Sequence, residues 1–218
     1  MKHYRHTNRA SYELLQSERA KAKFQKVSAH FEEISWLATV IRWSEARLGP
    51  LLVPPIVCMG VRNGKEIDYW LRMLPRGERW FQWRLNHRRG VQRSDAVLPS
   101  FPVRGVELSG STRPDVWAGN YSRLPATWEN QFQIVYSNAL DHAFDVVETL
   151  TEWSRILRPG GLLVIQTPDA QQDVDPCQTV VGLSPEDLRE LCPVLTLLYY
   201  QYPSPRTGWQ NYILRKPR

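Results

Sequence analysis

The sequence contains no long apolar run. Its 218 residues are 42% hydrophobic, but polar residues interrupt each apolar stretch before it reaches the roughly 20 residues of a membrane-spanning helix. The first residues are basic, and the apolar core of a signal peptide does not follow them, which argues against secretion. These absences predict a soluble, cytoplasmic protein that does not insert into a membrane.

Paired cysteines and internal repeats are also missing. Cys58, Cys177 and Cys192 have none of the spacings typical of a zinc site or a disulfide framework. We therefore expect three reduced thiols, as in other cytoplasmic proteins, and no metal site. A chain of this length fits one domain with extensions.

Positive charge is concentrated in one segment. The whole chain has a net charge of +6, and the segment Arg72–Arg93 has seven arginines against a single acidic residue, Glu78. Trp80, Phe81 and Trp83 lie among these arginines. Arginine beside aromatic rings can bind RNA or another polyanion. Alternatively, the aromatic side chains pack this segment onto the domain and the arginines are only solvated.

The clearest secondary-structure pattern is strand, helix, strand over residues 129–167. An apolar run, Phe132–Tyr136, precedes residues with helical apolar spacing from Val146 to Leu157, and a second apolar run, Leu162–Ile165, follows. Pro159-Gly160-Gly161 predicts a tight turn that ends the helix. A unit of this length is a right-handed crossover between parallel strands, so an open α/β sheet is expected.

This stretch also resembles a known family. The turn Leu157-Arg158-Pro159-Gly160-Gly161, followed by an apolar strand, is similar to the second half of a class I S-adenosylmethionine (SAM) dependent methyltransferase. The resemblance implies a doubly wound, mostly parallel, seven-stranded α/β sheet with a C-terminal antiparallel hairpin. Val194–Tyr200 and Trp209–Leu214 are expected to form that hairpin, after a helix capped by Ser184.

The N-terminal part of the chain is predicted to be helical. Apolar residues recur three or four apart over Ser11–Leu48, which indicates one long or two shorter amphipathic helices. Such helices could cover the sheet, cover a substrate or form a homo-oligomer contact. We therefore divide the chain into a helical extension, 1–50, and a methyltransferase-like domain, 51–218, with a basic insertion at about 74–100.

A glycine-flanked turn follows the first predicted strand, Pro55–Met59. Gly60-Val61-Arg62-Asn63-Gly64 precedes a predicted helix, and in doubly wound sheets this turn lies against a nucleotide-like ligand. The turn lacks the middle glycine of a dinucleotide-binding motif, and it looks more like the SAM-binding turn. It departs from the family at Cys58, where an acid is usual, and at Arg62, where glycine is common. By resemblance we assign Gly60, Arg62, Asn63 and Gly64 to cofactor binding.

Two further landmarks follow in the family's order. Glu107 ends the strand predicted at Val103–Leu108, and a fixed carboxylate there can accept hydrogen bonds from both ribose hydroxyls. Asn120 stands where the family usually has an aspartate that contacts adenine, and its side-chain carbonyl can accept the same hydrogen bond. The resemblance therefore places Glu107, Leu108 and Asn120 at the cofactor.

The loop after the next strand is the expected place of methyl transfer. Tyr136, Ser137 and Asn138 leave the carboxyl end of that strand and are expected to lie beside the cofactor. His142 or Asp141 could act as the base for an oxygen nucleophile. Asp141 could instead cap the following helix, and an Asp-His pair binding a metal is the least favoured alternative.

Three functions remain open from the sequence. The first is a SAM-dependent methyltransferase acting on a small hydroxylated or sugar-like acceptor. The second is an RNA or nucleotide methyltransferase that uses the arginine-rich insertion, although the Asn/Asp-Pro-Pro-Tyr/Phe and Pro-Cys loops of two nucleobase-modifying classes are missing. The third is a methyltransferase fold that has lost SAM and acts as an interaction module.

Overall fold

A seven-stranded mixed sheet forms the centre of the molecule. The computed structural model describes residues 2–3, 8–22, 31–74, 101–169, 178–203 and 208–218. A short strand β1 (Lys2–His3) pairs with β7 (Val180–Val181) outside this sheet. The strands of the main sheet are β2 (Ile56–Met59), β3 (Val103–Glu107), β4 (Val116–Ala118), β5 (Phe132–Ser137), β6 (Leu157–Pro168), β8 (Thr196–Gln201) and β9 (Trp209–Arg215).

The order of these strands confirms the predicted topology. They follow one another as β4-β3-β2-β5-β6-β9-β8. Neighbours from β4 to β6 are parallel, and β9 is antiparallel to both β6 and β8. The chain therefore has a doubly wound sheet that ends in the expected antiparallel hairpin.

Helices cover both faces of the sheet. They are α1 (Arg9–Ala22), α2 (Phe31–Leu48), α3 (Lys65–Met73), α4 (Val146–Ile156) and α5 (Pro185–Leu191). Helices α2 and α3 share one apolar core with alternate residues of the strands, whereas α4 and α5 share the other core. Within the described ranges, none of these helices is long and apolar enough to cross a membrane.

The described part of the N-terminal region is helical in α1 and α2, as predicted. Ile34, Leu37 and Ile41 of α2 are buried against the sheet, as an amphipathic helix requires. The packing of α2 confirms the first of the three roles expected for this region, and contact with a second copy stays a prediction. The basic insertion predicted at about 74–100 lies outside the described residues, apart from Leu74.

Asp145, rather than Asp141, caps the N-terminus of helix α4. The Asp145 side chain accepts a hydrogen bond from the Glu148 amide at 2.9 Å, so Asp145 is the N-cap. The interpretation of Asp141 as the cap was wrong, because residues 140–142 form a separate 3₁₀ turn before the helix. Ser184 does cap α5, and its capping box with Asp187 confirms that prediction.

The Pro-Gly-Gly segment forms a bulge instead of a tight turn between helix and strand. Strand β6 already begins at Leu157, which pairs with Phe132, and regular pairing resumes at Leu162 opposite Ile134. Extra residues of β6 therefore loop out, and Gly160 adopts a left-handed φ of 79° in that loop. The expected turn was wrong in its geometry because the strand starts before it.

Candidate active site

The predicted cofactor residues meet at one edge of the sheet. Met59, the last residue of β2, pairs with Val106 of β3 on one side and with Ser137 of β5 on the other. Gly60, Glu107 and Asn138 come directly after these three paired residues in the chain. Because carboxyl ends of parallel strands meet at one edge, these three positions lie together where α/β proteins bind ligands.

The glycine turn has a conformation suited to close approach of a ligand. Gly60 and Gly64 have φ values of 71° and 76°, in the left-handed region that favours glycine. A Cβ atom on Gly60 would lie 2.6 Å from the Cβ of Ala139. Arg62 adopts φ 44° although it has a side chain, so the turn retains the left-handed backbone at the position where the related turn often has glycine. The Asn63 side chain accepts a hydrogen bond from the Lys65 amide.

Glu107 is held in place by hydrogen bonds from the glycine turn at residues 60–64 and from Ser109. Its Oε2 accepts a hydrogen bond from the Arg62 amide at 2.8 Å, and its Oε1 accepts from the Ser109 amide and hydroxyl at 3.0 and 2.7 Å. The residue is 3% exposed, and Leu108 beside it is half-buried. Oε2 still has acceptor capacity for a further donor, whereas Oε1 already accepts two hydrogen bonds.

Asn120 is held by the N-terminal helix. Its Oδ1 accepts a hydrogen bond from the Ser122 amide at 2.8 Å, and its Nδ2 donates to Glu13 of α1 at 2.6 Å. Helix α1 is anchored nearby, since Arg9 bonds both carboxylate oxygens of Glu148 and lies over the Phe144 ring. The carbonyl oxygen of Asn120 keeps one lone pair for a ligand.

The corner after β5 combines satisfied and unsatisfied polar groups. The Tyr136 ring packs against Trp70, and its hydroxyl donates to Gln166. Ser137 Oγ accepts from the Ala139 amide at 3.0 Å. Asn138 is 7% exposed, and its Nδ2 makes no hydrogen bond of good geometry among the described residues, but the Asn138 side chain lies near the Glu66 carboxylate and lowers its pKa through a hydrogen-bonding interaction.

Asp141 and His142 form a pair in the 3₁₀ turn. His142 Nε2 lies 3.7 Å from Asp141 Oδ2, and the histidine side chain is 21% exposed. Asp141 is buried, and its Oδ2 accepts from the Gln178 side chain at 2.6 Å. The hydroxyl of half-buried Tyr121 donates to the His142 carbonyl at 2.7 Å, which fixes the backbone of the turn. A buried carboxylate beside a partly exposed histidine is a common arrangement for a proton acceptor.

Glu66 is a buried acid that the sequence interpretation did not select. It lies in the first turn of α3 and is 6% exposed. Burial raises the pKa of Glu66 to about 7, and nearby Glu107 adds to the rise, whereas Asn138 and Arg62 oppose it. The available signal was its position, because a charged residue at 66 shares the buried face of α3 with Ile67 and Trp70.

A protein-family model matches the part of the chain that contains most of this candidate site. Residues 90–165 match the family model described as a methyltransferase domain. The match covers β3, β4 and β5 in full and β6 up to Ile165, and therefore includes Glu107, Asn120 and the corner after β5. The glycine turn at 60–64 lies before it. A search of curated protein sequences gives no significant match.

Solved structures share the fold at low sequence identity. The chain aligns over 99% of its length with 93% of a 1,6-didemethyltoxoflavin-N1-methyltransferase from Burkholderia thailandensis, at 15% identity and a TM-score of 0.65. That structure contains 1,6-didemethyltoxoflavin and S-adenosylhomocysteine.

Two further structures give a similar result. A putative sarcosine dimethylglycine methyltransferase from Galdieria sulphuraria aligns at 14% identity and TM-score 0.56, covering 85% of this chain and 86% of that one. A putative methyltransferase of Haloferax volcanii, solved with the activator Trm112, aligns at 15% identity and TM-score 0.56, covering 95% and 98%. Residues 90–165 therefore resemble a methyltransferase domain, and the chain as a whole has the α/β fold of these methyltransferase structures.

Proposed function

We propose that the chain transfers the methyl group of SAM to a hydroxyl oxygen of a small acceptor. The main support is the hydrogen bond from the Arg62 amide to the Glu107 carboxylate. It joins the glycine turn to the acid at the end of the neighbouring strand. The two parts of the proposed adenosine site are therefore held together by the protein itself. Preorganisation of this kind lowers the entropic cost of holding a ligand.

The residues at this edge have complementary roles toward the cofactor. The left-handed turn Gly60–Gly64 allows close approach of the ligand to the backbone, and Glu107 accepts hydrogen bonds from the ribose hydroxyls. Asn120 accepts a hydrogen bond from the adenine amino group. Asn138 and the corner before it lie toward the methionine end. SAM supplies an activated methyl group on its sulfonium, so the protein has mainly to align the acceptor with it.

Proton removal is assigned to the Asp141 and His142 pair. His142, whose Nε2 lies 3.7 Å from Asp141 Oδ2, is the proposed acceptor of the proton of the substrate hydroxyl. Bound SAM would supply the methyl group to the hydroxyl oxygen, and His142 would take the hydroxyl proton. Asp141 orients the ring and stabilises its charged form.

The class of acceptor is supported by the similar structures. The Burkholderia thailandensis enzyme contains a small heteroaromatic molecule, and the Galdieria sulphuraria protein is described as acting on sarcosine and dimethylglycine. Small acceptors therefore occur on this fold. We choose a hydroxyl as the acceptor group because the Asp-His pair provides the base that such a group needs.

Isothermal titration calorimetry tests the cofactor assignment. The chain should bind SAM or S-adenosylhomocysteine with a dissociation constant in the micromolar range, because the turn and Glu107 are held in place before binding. No heat at millimolar cofactor would reject this function and favour the interaction module suggested by Cys58 and Arg62.

The basic segment supports a second candidate function, methylation of RNA or a nucleotide. The concentration of arginine between residues 72 and 93 is the observation in its favour. Replacing Arg88 and Arg89 by alanine should then weaken binding of single-stranded RNA and reduce its salt slope by about 0.7 for each phosphate that is no longer neutralised. A filter-binding series at increasing salt measures both.

A matched variant controls for the loss of two charges. Arg47 and Arg189 are exposed on α2 and α5, and replacing both by alanine should leave RNA binding unchanged. Equal binding by the two double variants, or binding that does not respond to salt, would remove the RNA candidate.

A further inference from the structure

Helix α2 has two exposed tryptophans on its outer side. Trp36 is 40% exposed and Trp43 is 66% exposed, although the opposite side of α2 is buried in the core. Their rings pack edge to face with centroids 5.6 Å apart, and Trp36 Nε1 donates to the Tyr199 hydroxyl at 3.1 Å. Tryptophan is enriched in protein interfaces and often contributes much of their binding energy. An ordered pair of exposed indole rings therefore indicates a surface that another molecule covers.

The two tryptophans belong to a longer stripe on the same helix. Residues three or four apart lie on one side of a helix, and this spacing joins the α2 stripe, which we define as Glu32, Trp36, Thr39, Trp43 and Arg47. Thr39 at its centre is half-buried, and the charged residues at its two ends are exposed. The stripe thus begins with an acid, ends with a base, and has an aromatic ring on each side of its centre.

The α2 stripe is complementary to itself when its direction is reversed. A twofold axis between positions 39 and 40 exchanges positions 32 and 47, and it also exchanges positions 36 and 43. In an antiparallel pair of α2 helices, Glu32 would face the partner's Arg47. Trp36 would face the partner's Trp43. Because a twofold contact is made twice, opposite charges meet at both ends and four indole rings meet between them.

The helix alone accounts for only part of this pattern. An acid in the first turn and a base in the last turn suit the helix dipole, so the charges by themselves would not indicate a partner. The dipole gives no reason for two adjacent tryptophans on the outer side. A different partner would need only this apolar centre, whereas a second copy uses both the tryptophans and the reversed order of the charges.

We propose that two copies of this chain associate through the α2 stripe, with their α2 helices antiparallel about a twofold axis between residues 39 and 40. The tryptophans form the centre of the contact, and the Glu32 and Arg47 pairs form its ends and set its direction. One helix face from each copy buries less than a standard interface of about 1,600 Å². We therefore expect a reversible dimer with a dissociation constant in the micromolar range.

This contact lies away from the candidate active site. Trp36 contacts Tyr199 of β8, the edge strand, and three strands, β9, β6 and β5, separate β8 from β2. Gly60 and Glu107 follow or end strands at the other side of the sheet. Dimerisation should therefore not require SAM, and a chain that fails to bind SAM could still form the dimer.

Sedimentation equilibrium of the full chain tests the dimer. Between about 1 and 200 µM, a range that brackets a micromolar dissociation constant, the average mass should rise from 25.4 kDa toward twice that value. Trp43→Ala should weaken association at least about 100-fold, because a central tryptophan is lost from both copies. Val147→Ala, at an exposed apolar position of α4, is the matched control and should associate like wild type.

Charge reversal tests the antiparallel direction. Glu32→Arg places positive charge opposite the partner's Arg47 at both ends of the contact and should weaken association about tenfold, with a larger effect at low salt. Arg47→Glu should have the same effect. The double variant Glu32→Arg/Arg47→Glu restores opposite charges at both ends, so its dissociation constant should return to within about twofold of wild type. Melting temperatures equal to that of the wild-type monomer would show that the variants are folded.

Three results would overturn this dimer. A wild-type chain that keeps a mass of 25.4 kDa at the highest concentration would show that the α2 stripe meets solvent or a different molecule. A dimer that Trp43→Ala does not weaken would have its contact elsewhere. A double charge variant that associates as weakly as the single variants would exclude the antiparallel arrangement.

Discussion

Replacing Glu107 by alanine should weaken binding of S-adenosylhomocysteine about 100-fold. Hydrogen bonds to charged groups contribute about 1.5–3 kcal/mol each, and the proposed site gives Glu107 two ribose hydroxyls. Even with partial compensation by water, a loss near 3 kcal/mol corresponds to roughly two decades in the dissociation constant. Calorimetry on wild type and variant measures this directly.

Glu107 also holds the turn through the Arg62 and Ser109 amides, so the ribose contribution has to be separated from that structural one. A 2′-deoxy analogue of S-adenosylhomocysteine makes the separation, because it should bind wild type more weakly than the parent ligand and show no such difference in Glu107→Ala. Glu190→Ala is the matched surface control. Full sensitivity to the missing hydroxyl in Glu107→Ala would show that the ribose lies elsewhere.

Replacing His142 by asparagine should lower kcat by about 10²–10⁴-fold, the range for a general base, and leave cofactor affinity within twofold. The expected cause is loss of the group that takes the acceptor proton. Transfer of a tritiated methyl group from SAM to an acceptor found by screening small hydroxylated compounds measures kcat. Raising pH should partly restore the rate of the variant, because more of the acceptor is then ionised.

Asp141→Asn provides the companion measurement. It keeps the shape of the side chain but removes the charge that stabilises the protonated ring, so kcat should fall by less than in His142→Asn. Wild-type kcat in both variants would exclude the pair from proton transfer and leave methyl transfer to a nucleophile that needs no base. Reduced cofactor affinity would instead assign the pair to binding.

The parts of the fold encoded by short-range pattern were predictable. The unit β5–α4–β6 has an apolar strand, a helical apolar stripe and a second apolar strand in direct succession. Ser184, Pro185 and Asp187 specify the start of α5 within a few residues. The order of the strands and the antiparallel hairpin came from the family resemblance, and the strand pairing confirmed them.

Features that depend on pairing or tertiary contact were not predictable. Both aspartates, 141 and 145, can cap a helix, and the choice is decided by the 3₁₀ turn at Leu140–His142, which contains Asp141. The Pro-Gly-Gly bulge depends on Leu157 pairing with Phe132, which local sequence does not encode. Glu66 was missed because an acid near a helix start usually favours the helix dipole in solvent, whereas this one is turned inward.

The hydrogen bond between Glu13 and Asn120 holds helix α1 beside the position proposed for adenine. A nucleoside that approaches from this side meets α1 before it reaches the amide, so we expect association to be slower than simple diffusion allows. Product dissociation would wait for the same movement, and we expect departure of the spent nucleoside, rather than the chemical step, to govern turnover.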